Sequence, residues 1–327
     1  MDSKFQNKVI VILGPTASGK SGLAVKIAKK WNGEIISADS RQVYKELDIG
    51  AGKVTKKEMA GVPHHLLDIA DPKRRFTVAE FQEMAREKIS EIFSRGKIPI
   101  ICGGTGFYIK SVVDNIALPN VPPNEKLRKE LSGKSADELF AILKKLNPKR
   151  AKNIDPKNSR RLIRAIEIAS VLNSPFFKGS GESSSRGISN KILRLQSQPP
   201  SFLKEESAPR FLQIGIQTPD QILKQKIRSR LLARLKKGMI AEAKRLHQRG
   251  LSWKRMDELG LEYRYLSRYL QNKISKEEMT TKLKTEIWHF ARRQKTWWRK
   301  DARIKWFSIS DTKKIEKEIK NFLKKTS

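Results

Sequence analysis

A single cysteine, Cys102, and four scattered histidines in 327 residues exclude an internal disulfide framework and the common zinc sites, which need several thiols or imidazoles together. Long apolar runs are missing too. Runs such as Val9–Leu13 are far short of the roughly 20 residues that cross a bilayer. The N-terminus lacks the apolar stretch of an export signal, so a cytoplasmic protein with no membrane association is expected. Acidic counterweight is scarcer still: 34 Asp and Glu face 69 Lys and Arg, a formal net charge of +35. An excess that large goes beyond what solubility requires and points to nucleic acid. A hydrophobic fraction of 38% supplies a sizeable core and excludes wholesale disorder.

The excess is uneven. Residues 1–115 carry a net +6, residues 116–219 a net +10 and residues 220–327 a net +19. A near-neutral chemical core with basic elements that grip a polyanion is the implied plan. Within the first part, a short apolar run at Val9–Leu13 and strand-like stretches at Glu34–Ala38 and Ile98–Cys102 alternate with helical spacing at Ser21–Trp31 and Thr77–Ser94. The fold class expected is therefore α/β, a P-loop NTPase-like parallel sheet flanked by helices, with an inserted helical subdomain and a basic helical C-terminal part. The expected boundaries are 1–115 for the catalytic core, 116–173 for the helical insertion, 174–209 for a Ser/Gly/Pro-rich linker or loop, and 210–327 for the return to the core and the basic helices. Helices are predicted at Glu125–Leu131, Ala136–Leu146 and Ser159–Leu172, a further strand at Phe211–Ile216, and helix throughout from Pro219.

Gly14, Pro15, Thr16, Ala17, Ser18, Gly19, Lys20 and Ser21 match G-x-x-x-x-G-K-[ST] between an apolar strand and a helix. Backbone N–H groups and the positive end of the helix dipole hold phosphates in such a loop, Lys20 adds a point charge, and the Ser21 hydroxyl can ligate Mg²⁺, the one cofactor expected. A nucleotide-hydrolysing enzyme adds an acidic magnesium ligand and a group that positions water. The strand running into Cys102-Gly103-Gly104-Thr105 has no carboxylate, whereas Ala38-Asp39-Ser40 does. Strand ends of a parallel sheet gather at one edge, so Asp39 and Thr105 are expected to face the phosphate site. Three roles stay open for Asp39: magnesium ligand, general base, or helix cap. Gly103 and Gly104 suit either close approach of a ligand or a tight turn.

The stretches GPTASGKS (14–21), EIISADSRQVYKELDIGAGK (34–53), VPHHLLDI (62–69), FTVAEF (76–81), PIICGGTGFYIK (99–110), SRRLIRAIEI (159–168), FLQIGI (211–216) and HFARRQKTWWRKD (289–301) run in order across nearly the whole chain. Together they resemble the tRNA dimethylallyltransferases, also called tRNA isopentenyltransferases. The resemblance implies transfer of the dimethylallyl group of dimethylallyl pyrophosphate to N6 of the adenosine 3′ of the anticodon, in a tRNA anticodon stem-loop, with release of pyrophosphate. The loop then holds a leaving group in place of ATP. On that reading the backbone from Thr16 to Ser21 holds the pyrophosphate, Lys20 neutralises charge as the C–O bond breaks, and Asp39 takes the N6 proton.

The same resemblance places Thr105 against the target nucleotide or the phosphate end, and Ser40, Arg41 and Gln42 against the flipped-out base. Lys226 and Arg230, four apart on a predicted helix, fall near the family's pyrophosphate-contacting arginines; Lys226, in place of an arginine, offers only a point charge. Arg160, Arg161, Leu162, Ile163 and Arg164 match a segment that contacts tRNA, with Leu162, Ile163 and Ile166 packing the same helix inward, and Arg128 is a further RNA candidate. Arg292, Lys295 and Arg299 form a stripe opposite Ile287, Phe290, Trp297 and Trp298, where helical spacing favours core packing of the tryptophans over base stacking. His64-His65 reads as structural, the two rings pointing to opposite faces of a strand, and Cys102 as a small buried hydrophobe. Residues 174–209 exceed the family's region in length and carry no site residue here. No appended Cys/His zinc module is seen, as expected of a compact bacterial-type enzyme, and a monomer is the default. Rival readings are a small-molecule P-loop kinase, a non-catalytic RNA-binding protein, and an adenylate-type isopentenyltransferase acting on free nucleotides.

Overall fold

The computed structural model describes residues 7–119, 121–172 and 208–324. Lys8–Leu13 (β1), Gly33–Ala38 (β2), His64–His65 (β3), Ile98–Gly103 (β4), Arg210–Gln217 (β5) and Lys305–Ser308 (β6) form a six-stranded sheet in the order β3-β2-β4-β1-β5-β6. Every pairing is parallel. The three central strands are buried along their full length, as a parallel sheet covered on both faces demands.

Alternation along the strands divides the core in two. Ile10, Ile12, Ile35, Ile98 and Ile100 point to one face, where Lys20–Lys30 (α1) and Thr312–Lys324 (α14) contribute Leu23, Ile27, Ile315 and Ile319. Val9, Val11, Leu13, Ile36 and Ile101 point to the other, against Phe81, Ala85, Ile89 and Ile92 of Val78–Ser94 (α3). That second face also receives the C-terminal helices Asp220–Lys236 (α9), Met239–Gln248 (α10), Trp253–Leu259 (α11), Leu261–Leu270 (α12) and Lys276–Trp298 (α13). Lys56–Met59 (α2) and Gly106–Val113 (α4) complete the helices of this part. Thr77 lies just outside α3 because its hydroxyl accepts the Glu80 N–H while the Glu80 carboxylate accepts the Thr77 N–H, a reciprocal cap that fixes the helix start.

The described residues fall into two compact units, residues 7–116 with 208–324, and residues 117–119 with 121–172. The second consists of Glu125–Leu131 (α5), Ala136–Leu146 (α6), Pro148–Ala151 (α7) and Ser159–Leu172 (α8) around Leu131, Leu139, Leu143, Leu162 and Ile166. The linker expected at 174–209 lies outside the described residues except at 208 and 209. One expectation is corrected: the chain after Pro219 is not helical throughout, since β6 pairs with β5 from Ile214↔Lys305 to Gln217↔Ser308. Four residues at a sheet edge are too few to establish an alternating pattern.

Glu34 ties the far edge of the sheet together. Its buried carboxylate accepts from Lys97 Nζ at 2.8 Å and Arg95 at 2.7 Å and meets His65 Nε2 at 2.7 Å. Burial alone would raise its pKa, but these partners hold it down at about 2 against an ordinary 4.5. A depressed carboxylate contributes stability above its unfolded pKa and loses it as pH falls through the folded one. Glu34→Gln is therefore expected to lower the urea midpoint at neutral pH, with its deficit against the wild type shrinking as pH falls from about 4.5 towards 2.

Candidate active site

The loop after β1 turns into α1 through Gly19, whose φ of 93° places it in the left-handed region as the helix N-cap. Ala17 is also left-handed, at φ 63°. The first-turn N–H groups of Lys20, Ser21 and Gly22 have no acceptor inside the helix and remain available to an anion. Lys20 Nζ donates to the Pro15 carbonyl at 3.2 Å. Burial lowers the Lys20 pKa, the negative ends of Cys102 and Asp39 pull it back up, and Arg230 presses it down again.

Asp39 follows β2, and Thr105 follows β4 and caps α4. Both line the cavity that contains Lys20 and Ser21. One carboxylate oxygen of Asp39, Oδ1, accepts the Arg41 N–H at 2.8 Å and the Gln42 N–H at 3.4 Å. That is a turn cap; no described residue donates to the second oxygen, Oδ2. The Thr105 hydroxyl accepts the Ser40 N–H at 3.0 Å and donates to Ser40 Oγ at 3.4 Å, which locks the two turns together. Arg41 and Gln42 line the same cavity.

The opposite wall comes from the C-terminal helices. Arg230 and Lys226 on α9 share a second cavity with Lys20 and Ser21, and Arg230 reaches both cavities. Burial lowers the Arg230 pKa, the neighbouring Arg234 lowers it further, and Glu58, Glu262 and Asp39 oppose both. Arg234 donates to the Gly50 carbonyl at 2.8 Å and pairs with Glu262 at 3.0 Å. The loop through Gly50 is itself held by Glu242 of α10, a buried carboxylate that accepts the N–H groups of Asp48, Ile49 and Gly50 at 3.1, 2.6 and 2.9 Å and the Tyr263 hydroxyl at 2.8 Å. From α13, buried Gln294 accepts the Thr16 N–H at 2.9 Å and donates to the Gly104 carbonyl at 2.9 Å.

A family model described as IPP transferase matches residues 42–301. The chain belongs to this family. It is 43% identical to tRNA dimethylallyltransferase 2 of Treponema denticola over 292 residues, 89% of this chain and 91% of that one. With the tRNA dimethylallyltransferase of Carboxydothermus hydrogenoformans it shares 41% over 332 residues, covering 98% of this chain and 100% of that one. The crystal structure of the tRNA isopentenylpyrophosphate transferase of Bacillus halodurans superposes with a TM-score of 0.68 at 34% identity, covering 97% of each chain. A eukaryotic dimethylallyltransferase captured acting on tRNA superposes at 0.67 with 25% identity, over 89% of this chain and 70% of that one.

In this IPP transferase family member, the structure brings Thr16, Lys20, Ser21, Asp39, Ser40, Arg41, Gln42, Thr105 and Arg230 to one cavity. Lys226 lines the adjoining one. The backbone reading of the loop needs two corrections. The Thr16 N–H is taken by Gln294, and the Ser18 N–H donates to the Pro15 carbonyl at 3.3 Å, so neither points freely at a phosphate. Gly103 lines the cavity, and both glycines are demanded by packing at the turn. A Cβ on Gly103 would sit 2.1 Å from the Ala38 carbonyl oxygen, and one on Gly104 would sit 2.4 Å from Gln294 Nε2.

The second unit, taken by itself, sorts its candidates differently. Arg160 and Arg161 are exposed. Leu162 has no exposed surface and Ile163 packs against the same core, which corrects the inclusion of Leu162 as an RNA contact. Arg128 holds buried Glu167 in a fork at 2.7 and 3.0 Å, and Arg164 binds Glu167 at 3.2 Å and the Val121 carbonyl at 2.7 Å. Both guanidiniums are engaged in packing this unit.

Elsewhere, Trp298 is buried while Trp297 keeps 39% of its surface exposed beside Gly106, so one tryptophan follows the packing expectation and the other only in part. Lys295 pairs with Asp220, and Arg292 and Arg299 are exposed. Burial pushes the Cys102 thiol up to about 11, as suits an inert buried side chain. His64 faces the cavity and His65 faces Glu34, on opposite sides as their adjacency requires.

Sequence reading missed Glu242 and Gln294. Nothing local marks them beyond a polar residue at an otherwise apolar helical position. Glu242→Gln leaves three N–H groups, one buried and two part-buried, facing a weaker acceptor. It is expected to cost about 2–3 kcal/mol in urea unfolding and to expose residues 48–53 to limited proteolysis.

Proposed function

We propose that this chain is a tRNA dimethylallyltransferase, using dimethylallyl pyrophosphate as donor and N6 of the adenosine next to the anticodon as acceptor. The observation that carries the reading is one cavity lined by a phosphate loop on one side and by the paired Asp39 and Thr105 turns on the other, in a member of the IPP transferase family.

The pyrophosphate lies at the N-terminus of α1, where the N–H groups of Gly19 to Gly22, Lys20, and from α9 Arg230 and Lys226, offset the charge that grows as the allylic C–O bond breaks. Asp39 uses Oδ1 to hold its own turn, which orients the second oxygen to accept the N6 proton as the nitrogen attacks C1 of the dimethylallyl group. Thr105 and Ser40 fix that turn and supply hydroxyls to the extruded adenosine. Ser21 would hold Mg²⁺ through its hydroxyl oxygen, the hard donor such a cation prefers, which leaves the second Asp39 oxygen to the N6 proton. Bound there, Mg²⁺ would supply charge screening for the pyrophosphate.

The RNA is held by basic surface, with Arg160, Arg161, Arg292 and Arg299 exposed and available to phosphates. An anticodon loop suits such a site because an unpaired base swings out at low cost.

Mass spectrometry tests the reaction directly. Incubated with Mg²⁺ and dimethylallyl pyrophosphate, a stem-loop with adenosine at the target position is expected to gain one dimethylallyl group. A stem-loop lacking that adenosine, and free AMP, are expected to stay unmodified. Prenylation of AMP, or an unmodified adenosine stem-loop, would overturn the proposal. Stem-loop affinity is expected to fall steeply with added salt as counterions are released. Asp39→Ala is expected to lose roughly 10²–10⁴-fold in turnover with stem-loop affinity retained. Asp39→Asn, which keeps an acceptor for the Arg41 and Gln42 N–H groups, is expected to fall as far; near-normal turnover in that variant would leave Asp39 as a cap alone.

A further inference from the structure

Gln294 sits on α13, some 190 residues from Gly104 and 278 from Thr16 in the chain, yet it touches both walls of the cavity. Its side-chain oxygen takes the Thr16 N–H at 2.9 Å and its amide nitrogen gives a proton to the Gly104 carbonyl at 2.9 Å. The residue is only 7% exposed, so both bonds are sheltered from competing water. Gly104 directly precedes Thr105, whose hydroxyl holds the Ser40 N–H, and Ser40 follows Asp39. The space is reserved for this carboxamide, because a Cβ at Gly104 would come within 2.4 Å of it.

We infer that Gln294 is a positioning residue that sets the separation between the phosphate loop and the turn that presents Thr105 and Asp39. The two partners are an N–H and a carbonyl, and the glutamine carboxamide presents a fixed acceptor to one and a fixed donor to the other, with no tautomer or hydroxyl rotor to choose between them. With Thr16 pinned, the loop cannot rotate its N–H groups away from the anion, so the cradle is formed before the donor arrives. With Gly104 pinned by the same group, the acceptor turn stays at a fixed distance from the leaving group, and misplacement of about 1 Å between reacting groups costs roughly 10²-fold.

The inference rests on the proposed transferase reading for its effect on turnover but not for its effect on the cradle, so two readouts separate them. Gln294→Met keeps the side-chain length and makes neither bond. If it folds as the wild type does by circular dichroism, the expected results are a pyrophosphate Kd raised about tenfold by calorimetry, kcat on the stem-loop lowered roughly 10²-fold, and stem-loop Kd within about twofold of wild type. Gln294→Glu retains the acceptor for Thr16 and loses the donor to Gly104. It is expected to raise the donor KM and lower kcat, again without changing stem-loop affinity. Unchanged pyrophosphate affinity and kcat in a folded Gln294→Met protein would overturn the inference. So would failure of both variants to fold, which would make Gln294 a residue of stability alone. A wild-type protein that leaves the stem-loop unmodified, but binds pyrophosphate in a Gln294-dependent way, would sink the transferase reading and leave this inference standing.

Discussion

The register of the parallel sheet is the constraint on which the rest depends. Leu13 of β1 lies opposite Gly103 of β4 and Gly215 of β5, and Ala38 of β2 lies opposite the same Gly103. The phosphate loop, Asp39 and the Gly104-Thr105 turn therefore leave the sheet in one layer. A shift of one residue would turn the alternating side chains to the wrong face and carry one of these turns out of reach. The register is guarded at its tightest point, where the Ala38 carbonyl approaches Gly103 too closely for any side chain. The chemistry is thus placed by backbone geometry first and by side-chain choice second.

The charge excess divides into two populations with different work. Some cations are committed to buried or half-buried carboxylates: Arg95 and Lys97 to Glu34, Arg128 and Arg164 to Glu167, Arg234 to half-buried Glu262. These pairs hold the fold together, because a buried carboxylate left alone would be costly. Others stand exposed on the helices, including Arg160, Arg161, Arg292 and Arg299. A count of charges along the chain cannot tell the two apart. Arg128 and Arg160 look alike as letters, and only the position of Glu167 on the inner face of α8 separates them.

Much of the molecule was legible in the sequence for reasons that can be named. The strands β1 and β4 are largely apolar runs and β2 is a strand-like stretch around Ile35 and Ile36, each ending in glycine or at a short polar turn, and α5, α6 and α8 carry both period and caps, so their bounds follow from local rules. The loop motif and Asp39 were found because strand ends of a parallel sheet must share an edge. Helix α9 was seen to put Lys226 and Arg230 on one face. What stayed hidden was long-range: β6, four residues at an edge, and the two polar residues Glu242 and Gln294, whose backbone partners lie more than a hundred residues away. The glycines at 103 and 104 were noticed as special, but their neighbours, the Ala38 carbonyl and the Gln294 carboxamide, belong to chain segments that only the fold brings near.

Electrostatics explains why such buried scaffolding is needed around this cavity. Lys20 and Arg230 are both drawn below their ordinary pKa values by burial, and Arg230 adds to the depression of Lys20. Arg234 repels Arg230 as well. Cations crowded in a partly desolvated cleft push apart, and a flexible loop would relax by swinging them into water. Glu242 denies that escape to the loop before Lys53, and Gln294 denies it to Thr16. The repulsion is therefore retained until an anion relieves it. On the proposed reading, a pyrophosphate leaving group gains from such a site, since its charge grows while the donor bond breaks and the surrounding dipoles need not reorganise.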